Sequence, residues 1–217
     1  MHSQNFIYLF AGLIALLAIE PTIATVRPHS GVAQLAFTLT LVLGVWSLQD
    51  SRRWFRWGLV LTGVAVVTSG AYAYTRDPAV QLANLFVIAG FCAMTIVLAL
   101  RQVVFAPGPV SVNRLMGALC IYLLLGTMWS ILYAFIEFAV PNAFQYPVAQ
   151  PTDLTAEFLY YSFVTLTTLG YGDITPVHPL ARTFSYLEAV VGQLFLAVLV
   201  ATLVGRFRGL EASRAEP

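Results

Sequence analysis

The sequence predicts an all-α membrane protein: six transmembrane helices, with a short re-entrant helix and a glycine-containing loop between the fifth and the sixth. Three observations lead there. Hydrophobic residues fill 59% of the 217 positions and charged residues only 10%, too little charge to cover a soluble protein of this size. Six apolar runs, at 6–26, 32–49, 57–75, 79–101, 114–140 and 179–207, are long enough for a helix to cross a bilayer, which takes about 20 residues. Between the last two runs lies a segment too short, and too polar at its start, to span alone, and it leads straight into "LGYGD".

The first run, "FIYLFAGLIALLA", could imitate a signal peptide, but "MHSQN" before it carries no Lys or Arg. The positively charged leader of a signal is missing, so the segment is read as a retained helix. Tight punctuation separates the first four runs: Glu20-Pro21 with "RPHSG", then "QDSRRWFR", then "TRDP". The loop "VVFAPGPVSVNR" leads to the fifth run, and its two prolines bracket Gly108, a poor place to continue a helix. After Pro141 comes the polar stretch "NAFQYPVAQPTD", then "LTAEFLYYSFVTLTT". Thr152 or Asp153 suits the N-cap of a helix there, and Glu157 in its first turns suits the positive N-terminal end. Irregular backbone after such a helix is tolerated at membrane depth only where protein buries it or it lines a watery cavity. The glycines of "LGYGD" therefore pose a question about a pore.

Charge supports this topology. With six crossings and a cytoplasmic end to the sixth run, both termini are cytoplasmic and the re-entrant segment faces outside. Arg52, Arg53, Arg56, Arg101, Arg114, Arg206, Arg208 and Arg214 then lie inside, against Arg27, Arg76 and Arg182 outside. Eight against three satisfies the positive-inside rule. A net charge of +1 argues against a nucleic-acid partner, which needs a basic face. Cys92 and Cys120 lie inside apolar runs and read as buried thiols, with no spacing for a metal site or disulfide.

Selecting a dehydrated cation requires oxygen atoms that replace its water shell. Backbone carbonyls serve because they are dipoles without net charge, so the ion binds and still leaves. Aiming successive carbonyls at one axis demands positive φ at some residues, which Gly170 and Gly172 allow at alternating positions. Leu169 and Tyr171 then turn outward, and Thr168 adds a hydroxyl at the inner end. One chain supplies one wall, so four copies are required.

At this point the chain resembles the tetrameric potassium channel family, a prokaryotic-type six-transmembrane member whose first half is like a voltage sensor without gating arginines. The family's T-V-G-Y-G loop is matched by Thr168, Leu169, Gly170, Tyr171 and Gly172, followed by Asp173 and preceded by "YYSFVTLT". The resemblance is specific over about 114–209 and general before that. It implies a homotetramer that conducts potassium, with the ion held at Thr168, Leu169, Gly170 and Tyr171 and no cofactor beyond this permeant ion. It divides the chain into a four-helix bundle at 1–105 and a pore domain at 106–217, with outer helix 114–140, pore helix 153–167, filter 168–173, inner helix 179–207 and a short cytoplasmic tail. Tyr160 and Tyr161 stand where the family has two aromatics that brace the filter; Thr167 joins that support, and Gly192 takes the place of the inner-helix hinge. Two departures stand out. Leu169 replaces the usual valine, and Val164 stands where some relatives place a glutamate that bonds the filter aspartate. Asp173 must find another partner, for which Tyr161 is the candidate.

Gly170 to Asp173 also spell the G-x-G-D of intramembrane aspartyl proteases, whose chemistry needs two facing carboxylates. The remaining aspartates, Asp50, Asp77 and Asp153, fall in loops or at helix ends, so that reading fails. Glu188 sits about two turns into the sixth run, where a carboxylate is expensive and needs a partner. It reads either as gating or filter support, or as a hydrogen bond to a Thr or Tyr of the pore helix that only fixes packing. Gln193 reads as facing the cavity or bonding between subunits. His29 and His178 read as solvated loop histidines.

The fourth run, "AVQLANLFVIAGFCAMTIVLALR", has no basic residue before Arg101. Steep voltage sensing needs several charges per subunit crossing the field, so strong voltage gating is not expected. The twelve residues after Gly205 are too few for a nucleotide- or calcium-binding module. Arg206 and Arg208 suit anionic lipid at the inner boundary, leaving a regulatory ligand or subunit unidentified. The expected location is a bacterial plasma (inner) membrane. A less selective monovalent cation channel, and a non-conducting subunit that assembles with or regulates other channels, are the alternative functions.

Overall fold

The computed structural model describes residues 5–26, 52–75, 77–105, 112–147 and 154–215, and nearly all of them are helical. The helix expected over 32–49 lies outside the described residues, as do Thr152, Asp153, His29 and the loop around Gly108.

Helix α1 (Asn5–Val26) runs through Glu20-Pro21 without stopping. Its buried Phe6, Leu9 and Leu13 pack against Cys120, Ile121 and Leu124 of α4 (Val112–Ala139). Two polar contacts fix the register: the Phe6 N–H donates to Asn113 Oδ1 at 3.3 Å, and the Cys120 thiol donates to the Phe6 carbonyl at 3.5 Å.

Helices α2 (Arg52–Thr75) and α3 (Pro78–Leu100) form a hairpin. Asp77 caps α3 by accepting the Ala79 N–H at 2.8 Å, and Pro78 at the first turn gives up an N–H that had no helical partner anyway. Ala65 and Phe91 bury the contact between the two helices. The end expected at Arg101 is passed: the chain winds on through a π-helical turn, Arg101–Phe105. Val103 of that turn presses on Gly117 of α4, where a Cβ would lie only 2.7 Å from its methyl.

The short helix α5 (Leu154–Leu166) is wedged between α4 and the long helix α6 (Pro179–Ala215). Gly126 of α4 lets α5 approach, since a Cβ there would meet the Phe163 ring at 2.7 Å. Beneath the loops at this end lies an aromatic cluster of Tyr133, Phe144, Phe158 and Tyr161. Its rings meet edge-to-face at 5.0 Å for Phe144 with Phe158 and for Tyr133 with Tyr161, the arrangement their quadrupoles favour. A two-residue antiparallel ladder, β1 (Phe144–Gln145) with β2 (Thr175–Pro176), ties the chain entering α5 to the chain leaving the loop. Glu137 supports the same corner, accepting the Asn142 N–H at 3.0 Å and the Phe144 N–H at 3.3 Å.

Among the described residues three helical stretches are long and apolar enough to cross a membrane: Pro78–Val103, Val112–Ala139 and Pro179–Thr202. The all-α membrane class therefore holds, and the protein is an integral membrane protein.

Candidate functional site

Helix α5 ends in a Schellman motif. The Thr168 N–H donates to the Thr165 carbonyl at 2.9 Å, and the Leu169 N–H reaches back to the Val164 carbonyl at 2.9 Å. That motif needs one residue in the left-handed region, commonly glycine, and here it is Thr168 at φ 59°. A β-branched residue there is strained by about 1–2 kcal/mol. Gly170 at φ 59° and Gly172 at φ 79° follow, while Leu169 and Tyr171 keep negative φ. Left-handed residues thus alternate with ordinary ones from 168 to 172. An extended chain points its carbonyls to alternate sides; reversing the handedness at every second residue turns them toward one side. Such an alternation suits a row of carbonyl dipoles on one side, and every residue from Thr168 to Asp173 is exposed.

The supports of this row differ from the expected ones at one point. Asp173 is held by Tyr160, whose hydroxyl donates to Oδ2 at 2.7 Å, and not by Tyr161. Consecutive residues on a helix point about 100° apart, so when Tyr160 faces the loop Tyr161 faces the core. Tyr161 instead pairs with the Ser185 hydroxyl of α6 at 2.6 Å. Tyr160 also stacks on Tyr171, with centroids 6.5 Å apart and planes 10° from parallel. The Tyr160 hydroxyl lowers the pKa of Asp173; partial desolvation opposes it, and the Ile174 N–H adds a smaller lowering. The same bond is the main cause that pushes the Tyr160 phenol up to about 12. Leu169 lines an apolar groove of 340 Å³ with Leu17, Leu159 and Phe163.

Below the loop, Thr167 Oγ1 donates to the Phe163 carbonyl at 2.7 Å and secures the last turn of α5. Gln193 of α6 donates from Nε2 to Thr168 Oγ1 at 3.2 Å, so it touches the first residue of the row. Gly192 is buried directly beneath the end of α5, where a Cβ would collide with the Leu166 carbonyl oxygen. Helix α6 continues through Gly192, and the missing side chain admits a close approach of two backbones.

Glu188 is fully buried behind α5. It accepts from the Tyr133 hydroxyl of α4 at Oε2, and its Oε1 lies 2.5 Å from Ser162 Oγ of α5. The sequence suggested a Thr or Tyr of the short helix as partner; the partners are a serine of that helix and a tyrosine of α4. Both lie far from Glu188 in the chain, and their only signal was a polar group inside an apolar run. His178, read as solvated, accepts the Leu180 N–H at Nδ1 and caps α6. Cys92 and Cys120 are free, and no cluster of metal-ligating side chains occurs among the described residues.

Residues 115–208, which hold α4, α5, the exposed loop and most of α6, match the family model described as "Ion channel". The curated relatives narrow the class. The chain is 45% identical over 56 residues to "Two pore potassium channel c" of Oryza sativa subsp. japonica, covering 26% of this chain and 12% of that one. It is 32% identical over 99 residues to "Inward rectifier potassium channel Kirbac3.1" of Paramagnetospirillum magnetotacticum, covering 46% and 30%. It is 26% identical over 110 residues to the "Voltage-gated potassium channel" of Aeropyrum pernix, covering 51% and 31%. Through this C-terminal half the chain is similar to ion channels, and to potassium channels among them. The matches span less than a third of the length of these relatives. No solved structure matches the chain.

Proposed function

We propose that the protein conducts potassium selectively, as a homotetramer whose four copies of 168–172 surround one axis. The observation that carries this reading is the alternation of left-handed residues at Thr168, Gly170 and Gly172, which suits consecutive carbonyls turned to one side. Thr168, Leu169, Gly170 and Tyr171 then supply the ring oxygens that replace the ion's hydration shell. Asp173, held by Tyr160, flanks the outer end and draws cations toward it. The exposed apolar face of α6, with Leu187, Val190, Leu194 and Val198, suits contact with other copies and with lipid. The resident membrane is a bacterial inner membrane, with six crossings and both termini cytoplasmic in accord with the arginine count. Residues 1–105 act as an anchoring bundle, and 106–217 as the pore. No basic residue enters α3 before its end, so opening is not steeply voltage-dependent.

Potassium flux into liposomes holding only the purified protein tests this reading. Barium-blocked flux that favours potassium over sodium, and that is lost in Gly170→Ala, is the expected result. Flux without that preference points to the less selective cation channel. Silence across pH, voltage and lipid composition points to a subunit that needs other channels.

A further inference from the structure

Ser162 Oγ has two oxygen neighbours, the Gly126 carbonyl at 2.7 Å and Glu188 Oε1 at 2.5 Å. Contacts this short need a hydrogen in each gap, and a serine hydroxyl owns one. The Gly126 carbonyl has none to give, so the serine hydrogen goes there. The hydrogen between Ser162 and Glu188 must then belong to Glu188. The other carboxyl oxygen receives the Tyr133 hydroxyl, whose single hydrogen is used in that bond. Counting hydrogens therefore leaves one arrangement, in which the carboxyl is neutral and both donates and accepts.

We propose that Glu188 is protonated in the conducting protein, and that this proton latches α5 between α4 and α6, so that potassium flux fails when it is lost at alkaline pH. The proposal rests on the channel reading above. The groups facing the carboxyl are, from α4, Tyr122 and Tyr133, and from α5, Ser162 and Tyr161. Ser185, one turn away on α6 itself, is engaged with Tyr161 and the Ala181 carbonyl. None of these groups is basic, so an ionised Glu188 would have no counter-charge in a fully buried place. Removing its proton would also force the Ser162 hydroxyl to turn toward the carboxylate. The Gly126 carbonyl would then face a bare oxygen, and the bridge from α5 to α4 would be broken. Ser162 lies one turn before Leu166, where α5 hands over to Thr168. Loosening that turn moves the origin of the carbonyl row.

The test is liposome potassium flux against pH for the wild type and Glu188→Gln, together with infrared spectra of both proteins in the carboxylic-acid stretching region. The glutamine amide donates to Ser162 and accepts from Tyr133 without an ionisable proton. Wild-type flux should fall by about tenfold per pH unit beyond its alkaline midpoint, while Glu188→Gln keeps its flux across the same range. A protonated-acid band should be present in the wild type, vanish as flux falls, and be missing from Glu188→Gln. An alkaline fall that survives in Glu188→Gln, flux that does not change with pH, or a wild type without the band overturns the latch. If the wild type conducts at no pH, the channel reading fails, and thermal melting decides the latch separately. A melting temperature that drops with rising pH in the wild type but not in Glu188→Gln supports it; parallel curves overturn it.

Discussion

The N-terminal helices and the C-terminal half are held together by different means. The α2–α3 hairpin joins apolar side chains and a small polar junction, where Thr68 and Ser69 hydroxyls meet Asn84 Oδ1 at 2.8 and 2.9 Å. In the C-terminal half, α5 is fixed by buried Glu188, Ser162 and Tyr133, by an aromatic cluster, and by glycines that admit backbone contact. Apolar packing is non-directional and tolerates exchange of similar volumes, whereas a hydrogen-bonded network admits one geometry. The directional half is also the half that carries the family match. A loop whose backbone alternates in handedness has to be positioned by groups with direction.

That contrast can be broken most sharply at Gly170. Alanine there must adopt φ near 59°, at about 1–2 kcal/mol, and barium-sensitive potassium flux should vanish while circular dichroism still reports the helices. Next is Gly192→Ala. Its Cβ would strike backbone, so the protein should lose roughly 1–3 kcal/mol, read as a lower melting temperature. A residue acting only as a bend would instead change opening and leave melting alone.

A milder break is Tyr160→Phe. Because the pKa of Asp173 is lowered in the folded protein, its contribution is present above the ordinary carboxylate range and is lost as pH falls through the lowered value. Without the hydroxyl that value returns toward the ordinary one, so potassium-dependent thermal protection should begin to fail at a higher pH than in the wild type. The bond is solvent-exposed, so the displacement should be small. The Tyr160 proton stays on up to about 12, so this substitution should leave the alkaline behaviour assigned to Glu188 untouched. The smallest effect belongs to the other half: Thr68→Val with Ser69→Ala should cost about 1 kcal/mol and leave flux unchanged.

What the sequence disclosed, and what it hid, follows the same divide. Apolar runs and proline punctuation placed α4 within two residues of its observed start and α6 at its observed first residue, because both signals are local. Gly170 and Gly172 were legible since only glycine takes a positive φ cheaply. Thr168 was not, because threonine normally avoids that region and is held in it here by the Schellman bonds of α5. Choosing Tyr161 over Tyr160 for Asp173 required the rotation of α5 about its own axis, which packing against α4 and α6 decides. The partners of Glu188 lie 55 and 26 positions away, and no periodicity joins residues so distant. The β1–β2 ladder, two residues on each side, is too short to show an alternating pattern.

Thr168 ends one element and begins the next. Its left-handed turn closes the last hydrogen bonds of α5 and sets the phase of the alternation that Gly170 and Gly172 continue. The stretch therefore has no slack. Adding or deleting one residue between Leu166 and Gly170 would swap which residues fall on the left-handed beats, placing side chains where only hydrogen fits. Length can drift in the connection before α5, but here the chain is a ruler with fixed marks, and substitution is the only kind of change it can absorb.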